Sequence, residues 1–212
     1  MSKSFKIIFD SLIYEPFNYR LEIKNRLYNL SYSLQKSFTN NQENYELNID
    51  DLDYKGIYSL GGGLCFSAFH WNEDIEKRIN ERSSINNFTG IPFFLGTDNE
   101  KIELNKDDKK KLINFPKDYF DNFIRKIKNL NVSSESNKII DNQKQFTIDI
   151  DDPTSIETSV AEYNFNYKTN FFVSEIQLID QLYFATIEVT KASLVDIFCL
   201  GYKIYLDDER RN

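Results

Sequence analysis

The chain has 212 residues, of which 41% are hydrophobic and 28% charged, and its formal net charge is −7. This composition is typical of a globular protein with a hydrophobic core and excludes disorder as a description of the whole chain. The negative charge argues against nucleic-acid binding, which needs a basic surface to displace counterions from phosphates. The basic clusters Lys109–Lys111 and Arg125–Lys128 have acidic neighbours and are typical of solvated helix faces.

The chain also predicts no membrane association, because it contains no run of about 18 apolar residues. The N-terminal apolar run is too short for a secretory signal, so we expect a cytoplasmic protein with reduced, buried cysteines at Cys65 and Cys199. The 18 Phe and 13 Tyr predict a core rich in aromatic rings. Some of the tyrosines are expected at a binding surface, where this residue type is favoured.

The first elements follow from hydrophobic periodicity. A short apolar run at Phe5–Phe9 predicts a strand, and Pro16 fits the first turn of a helix over residues 16–37. The apolar stripe of that helix consists of Ile23, Leu27, Leu30 and Leu34. Alternation over residues 45–49 predicts the next strand, and residues 55–60 have the composition of another.

The segment after the glycines at 61–63 has two interpretations. Residues 64–70 are apolar enough for a buried strand, followed by a helix over 72–83, and we favour this interpretation. The alternative is one continuous helix, with an apolar face formed by Leu64, Ala68, Trp71, Ile75 and Ile79. Further along, a short strand is predicted at 92–95 and a turn of helix at 106–113.

A stronger helix is predicted after Pro116, because its acidic residues come early and its basic residues late, in the order that complements the helix dipole. The polar stretch 131–145 is the best candidate for a linker or long loop. Beyond it the apolar residues alternate, which predicts strands. The alternating sets are Phe146, Ile148 and Ile150; Tyr163, Phe165 and Tyr167; Ala185, Ile187 and Val189; and Phe198, Leu200, Tyr202, Ile204 and Leu206.

The order of these elements predicts an α+β fold. Helices concentrate in residues 1–130 and pack on a mixed or antiparallel sheet, and the C-terminal third forms an antiparallel meander. We expect one domain over residues 1–212, with a possible sub-boundary in the loop 131–145. No internal repeat at a fixed period is evident.

Gly61, Gly62 and Gly63 form the most conspicuous local motif. A glycine turn could bring backbone N–H groups close to an anionic ligand, and Cys65 would then lie in the first turn of a following helix, where the dipole lowers a thiol pKa. The single histidine, His70, follows Cys65 by five residues, a spacing that does not bring its imidazole to the thiol on a helix or on a strand. The motif therefore indicates a structural turn or a weak ligand site.

Acidic clusters offer a second type of site. Asp149 and Asp151 alternate along a predicted strand and would share one face, where their oxygens suit a hard cation such as Mg²⁺ or Ca²⁺. Acidic residues before Pro153 are equally typical of an ordinary turn. The sequence contains too few His and Cys residues for a two-histidine metal motif or a structural zinc site.

These features favour a non-catalytic protein that binds another protein with a basic surface, and no cofactor is expected. The most concrete form is a cytoplasmic immunity or inhibitor-type protein, or a self-associating subunit of a phage or secretion assembly. The alternative is a small ligand- or metal-binding enzyme that uses the Gly61–Gly63 loop with Cys65 or the Asp149/Asp151 cluster. An enzyme is the less favoured class, because a nucleophile–base pair is not evident.

Overall fold

The computed structural model describes residues 4–18, 21, 30–84, 112–131, 135–140 and 143–211. Within these ranges the chain is α+β, as predicted, with two three-stranded antiparallel sheets. The chain forms two compact units, residues 1–68 with 116–212 and residues 69–115. Both sheets belong to the first unit.

The first sheet consists of β1 (Phe5–Asp10), β2 (Tyr32–Thr39) and β3 (Gln42–Ile49), in the order β1-β3-β2. The predicted first strand is confirmed, since Phe5, Ile7 and Phe9 alternate toward the core and are fully buried. Residues 14–18 are helical. A two-residue turn with positive φ at both positions joins β2 to β3, which is the type I′ geometry that matches the strand twist.

The second sheet consists of β4 (Lys144–Ile150), β5 (Asn170–Ile179) and β6 (Leu182–Lys191), in the order β4-β6-β5. The predicted antiparallel arrangement of the C-terminal strands is confirmed. Asp180 and Gln181 have φ of 49° and 70°, so a type I′ turn also joins β5 to β6.

Besides the helical residues 14–18, the described ranges contain four α-helices: α1 (Tyr54–Ser84), α2 (Tyr119–Leu130), α3 (Ile156–Tyr167) and α4 (Leu194–Glu209). Short 3₁₀ turns occur at Ser11–Ile13 and Glu135–Asn137. The helix predicted after Pro116 is confirmed as α2, and the one predicted over 72–83 is the second half of α1.

Several sequence predictions are wrong. The helix predicted over 16–37 runs too far, because residues 32–39 form β2, and the strands predicted at 55–60 and 64–70 both lie inside α1. The alternative helical face is the correct one, since Leu64, Ala68, Trp71 and Ile75 are all buried. The strand predicted at 92–95 and most of the turn at 106–113 lie outside the described residues.

The strands predicted at 163–167 and 198–206 are also wrong, since these residues belong to α3 and α4. In α3 the buried positions Ile156, Val160 and Tyr163 have helical spacing, whereas Phe165 is 75% exposed. In α4 nearly every residue from Val195 to Leu206 is buried. A helix that is buried on all sides has apolar residues at nearly every position, so every second residue is also apolar. Alternation therefore does not identify a strand there.

The structure reveals an internal repeat that the sequence analysis missed. Each repeat runs strand, helix, two strands joined by a type I′ turn, and a second helix, and in each sheet the first strand lies beside the third. The turns Asn40–Asn41 and Asp180–Gln181 are 140 residues apart, as are Gly61 and Gly201. The segments 57–61 and 197–201 read Ile-Tyr-Ser-Leu-Gly and Ile-Phe-Cys-Leu-Gly.

The two repeats make reciprocal contacts through the helices α1 and α4. Tyr58 of α1 packs on Phe146 of β4 in the other repeat, with ring centroids 5.9 Å apart. The equivalent ring of α4, Phe198, packs on Phe5 of β1 at 5.7 Å. Because each helix places an aromatic ring on a strand of the other repeat, the two halves of this unit share one core.

Candidate protein-binding surface

The three glycines at 61–63 do not form the predicted loop. They lie in the interior of α1, so the predicted glycine turn is wrong, and a ligand site at these residues stays a prediction. A Cβ on Gly61 would overlap the carbonyl oxygen of Phe198, and a Cβ on Gly201 would overlap that of Tyr58. These two glycines let the backbones of α1 and α4 touch, which explains why residues that are poor helix formers occur inside helices.

Cys65 is fully buried, and burial raises the pKa of its thiol well above the usual value. Burial likewise raises the pKa of Cys199. Because the thiolate is the reactive form, this environment makes both cysteines structural residues of the core. His70 belongs to the second unit, where its Nδ1 lies 3.4 Å from a carboxylate oxygen of Glu73.

Asp149 and Asp151 lie at the end of β4 and in the bend that follows it. The side chain of Asp149 is 77% exposed, and its Oδ1 is 4.0 Å from Nζ of Lys55. In the described ranges, His, Cys, Asp and Glu form no group of three or more that could hold a metal ion. A cation site at these two residues stays a prediction without further support.

A buried polar cluster around Asp196 was not predicted. Asp196 is 7% exposed and accepts hydrogen bonds from the backbone N–H and the hydroxyl of Ser193 and from the hydroxyl of Tyr163. Lys128 forms an ion pair with the same carboxylate. The cluster begins α4 with a capping box and links it to α2 and α3. The spacing Ser193-x-x-Asp196 was the available signal for this helix start.

The end of the β5–β6 hairpin displays large apolar side chains. Leu178, Ile179 and Leu182 are 60%, 48% and 59% exposed. Ile179 is paired with Leu182, and Leu178 with Tyr183, so the two pairs lie on opposite faces of the hairpin. Adjacent exposed apolar residues such as Ile179 and Leu182 are typical of binding surfaces.

Carboxylates surround this apolar tip. Asp149 pairs in register with Phe184, which places the end of β4 beside the hairpin, and Asp151 and Asp152 follow directly. The hairpin itself carries Glu175 and Asp180. Lys55 Nζ lies 4.0 Å from Asp149 and Arg211 Nη1 lies 3.9 Å from Asp152, so two cations face these five carboxylates and a surplus of negative charge remains. We call Leu178, Ile179, Leu182 and these carboxylates the acidic tip.

The two sheets differ in how their edges are covered. On β1 the N–H of Lys6 bonds to the Ser136 hydroxyl, and Asn131 bonds to both the N–H and the C=O of Ile8. On β5 the Asn164 side chain bonds in the same two-sided manner to Phe171 alone. Among the described residues, the outer edge of β5 over 173–179 has no neighbouring strand, and neither has that of β2, its equivalent in the first repeat.

No model of a known protein family matches the chain, and no curated protein is significantly similar to it in sequence. None of the helices in the described ranges combines the length and the apolar character needed to cross a membrane.

Proposed function

We propose that the protein is a non-catalytic binding protein of the cytoplasm that uses the acidic tip to bind a basic protein. The observation that carries this proposal is the exposed apolar pair Ile179 and Leu182, with the exposed Leu178 on the other face of the hairpin, at an end of the sheet where carboxylates outnumber cations. An apolar centre with a charged rim is the usual anatomy of a protein interface. The net charge of −7 adds long-range attraction for a basic partner.

The concrete form we propose is an inhibitor or immunity-type protein. Such a protein neutralises its partner by occupying it, and therefore needs affinity and charge complementarity without chemistry of its own. A second form, a subunit of a phage or secretion assembly, would use the same surface to contact copies of itself. The two forms predict different complexes, one-to-one with a basic protein or self-associated.

The test compares equivalent positions of the two repeats. Leu178 corresponds to Phe38, which is also exposed. In each hairpin a single residue separates this position from the two turn residues. We expect Leu178→Ser combined with Leu182→Ser to abolish capture of the partner from lysate of the source cell, whereas Phe38→Ser leaves capture unchanged. Both variants replace exposed residues, so their melting temperatures should stay close to that of the parent protein.

Charge is tested in the same way at the second residue of each turn. Gln181→Lys adds one positive charge at the acidic tip, and Asn41→Lys adds one at the other hairpin. We expect the first substitution to weaken capture and the second to have little effect, with capture in both cases weakening as salt rises. Equal effects of the two substitutions, or a partner that is acidic, would contradict the proposal.

A further inference from the structure

We propose that the partner contributes an extended, basic segment that adds to the second sheet as a fourth strand, along the outer edge of β5 over residues 173–179. This inference rests on the proposed function and specifies how the acidic tip is used. An edge strand presents unpaired N–H and C=O groups, and an added strand pairs with them while alternate side chains provide specificity.

The covered part of β5 shows how the open part would be used. At Phe171 the Asn164 amide donates to the backbone C=O at 2.7 Å and accepts from the N–H at 2.9 Å, as a neighbouring strand would. Phe171 therefore directs its backbone groups outward, and the Asn164 side chain ends the accessible edge on that side. A strand that pairs with β5 would begin just beyond this point.

The turn establishes which other residues face outward. A two-residue type I′ turn makes the flanking residues Ile179 and Leu182 a hydrogen-bonded pair. The backbone N–H and C=O groups of Leu178 and Ile176 therefore point away from β6, toward the open edge. Phe171 and Leu178 are an odd number of positions apart, so in a regular strand their backbone groups would point in opposite directions. Both point outward here because the register shift between Val173 and Glu175 inserts one extra residue, which reverses the direction of every later backbone group.

The charges around the edge select the occupant. Glu175 and Asp180 lie on the hairpin itself, whereas Glu162 of α3, which packs against β5, is already paired with Lys203. A second copy of the chain would place the same carboxylates opposite each other and has the same net charge of −7. A segment with alternating lysines and apolar residues would place its charges near these carboxylates and its apolar side chains on Leu178.

The experiment uses the full chain and three synthetic octapeptides. One alternates Lys and Val, the second alternates Lys and Pro with the same length and charge, and the third alternates Glu and Val. Proline removes N–H donors from the peptide and disfavours a strand, so the second peptide tests charge without pairing. Amide hydrogen exchange and amide chemical shifts are measured by NMR at increasing peptide concentration.

We expect the Lys–Val peptide at saturation to slow exchange of the Ile176 and Leu178 amides about tenfold, and the other two peptides to leave it unchanged. A variant pair checks the same point. Leu178→Ala and Leu178→Pro both remove the apolar side chain, but only proline removes the outward N–H, which an edge strand tolerates. We expect the proline variant to bind the Lys–Val peptide about fivefold more weakly than the alanine variant, the effect of one lost hydrogen bond.

The outcomes separate this inference from the proposed function. If both cationic peptides shift the resonances of the acidic tip without protecting amides, strand addition is overturned and a basic partner is retained. If neither peptide binds and the Leu178→Ser, Leu182→Ser variant still captures its partner, both proposals are overturned. Protection of Ile176 and Leu178 that grows with protein concentration alone would replace the basic partner with a second copy of the chain.

Discussion

The two repeats have the same strand order and the same turn geometry but different exteriors. Gly61 and Gly201 occupy equivalent places, and each allows a backbone contact that a larger residue would block. In contrast, the exposed pair Ile179 and Leu182 beside the second turn corresponds to the polar pair Thr39 and Gln42 beside the first. Features shared by the repeats are those required by the close packing of two equivalent halves. The features that differ lie at the surface that we propose as the binding surface.

The glycine contact is the feature whose loss should have the largest effect. Gly61→Ala and Gly201→Ala each place a Cβ on a backbone carbonyl of the opposite helix, and backbone cannot move aside as a side chain can. We expect each to lower the free energy of unfolding by at least about 3 kcal/mol, measured by urea denaturation. If both repeats contribute equally to the contact, the two losses should be similar.

Gly62→Ala is the matched control for this prediction. Its Cβ would lie 3.5 Å from the carbonyl oxygen of Gly201, which is ordinary contact. We expect a neutral effect or a gain of about 0.5–1 kcal/mol, because alanine is the better helix former. A loss at Gly62 as large as at Gly61 would mean that the helix, and not the crossing point, needs glycine.

The covered edges provide the second comparison. Asn131 is fully buried, and Asn131→Ala removes its hydrogen bonds to both backbone groups of Ile8 and a third to the C=O of Ile127, so it should cost about 2–3 kcal/mol. Asn164 is only half-buried, and Asn164→Ala, which removes the two hydrogen bonds at Phe171, should cost about 1 kcal/mol. Thermal unfolding of both variants checks the order, and a larger loss for Asn164→Ala would contradict it.

The helix caps should show a smaller difference. Ser193 accepts from the N–H of Asp196 in a buried capping box, and its equivalent Asp53 accepts from the N–H of Gly56 at an exposed site. We expect Ser193→Ala to cost about 1–2 kcal/mol and Asp53→Ala about 0.5–1 kcal/mol. Urea denaturation of the two variants measures both, with Ser193→Thr as a conservative control that keeps the hydroxyl.

The smallest expected effect depends on pH. Asp208 corresponds to the buried Ala68, and burial raises the pKa of Asp208 above its usual value of 3.8, with further contributions from Asp151 and Asp207. The folded state therefore binds this proton more tightly, so the carboxyl favours folding at low pH and loses that contribution as pH rises through its folded pKa. We expect Asp208→Asn to melt slightly higher than the parent protein at pH 7 and equally near pH 3. A difference that grows on acidification would contradict this assignment.

The sequence by itself determined the elements whose apolar residues keep one clear period. In β1 the alternating Phe5, Ile7 and Phe9 face one core, and in α2 the stripe is helical, so both were predictable. The fold class and the antiparallel C-terminal sheet followed from the same signals. The duplicated pentapeptides at 57–61 and 197–201 were also present, but short matches become meaningful only when the surrounding elements correspond.

Only the tertiary structure decided the roles of the glycines and the position of the candidate surface. Glycines before an apolar segment suit a turn or a close helix crossing equally well, and the choice depends on Gly201, 140 residues away. The helix α4 was hidden because it is buried on all sides, so its pattern has no polar face. The apolar residues of the acidic tip resemble core residues in sequence. Ile179 and Leu182 lie on the face of the hairpin opposite to the buried Ala185, Ile187 and Val189, and which face of a strand is buried is decided by long-range packing.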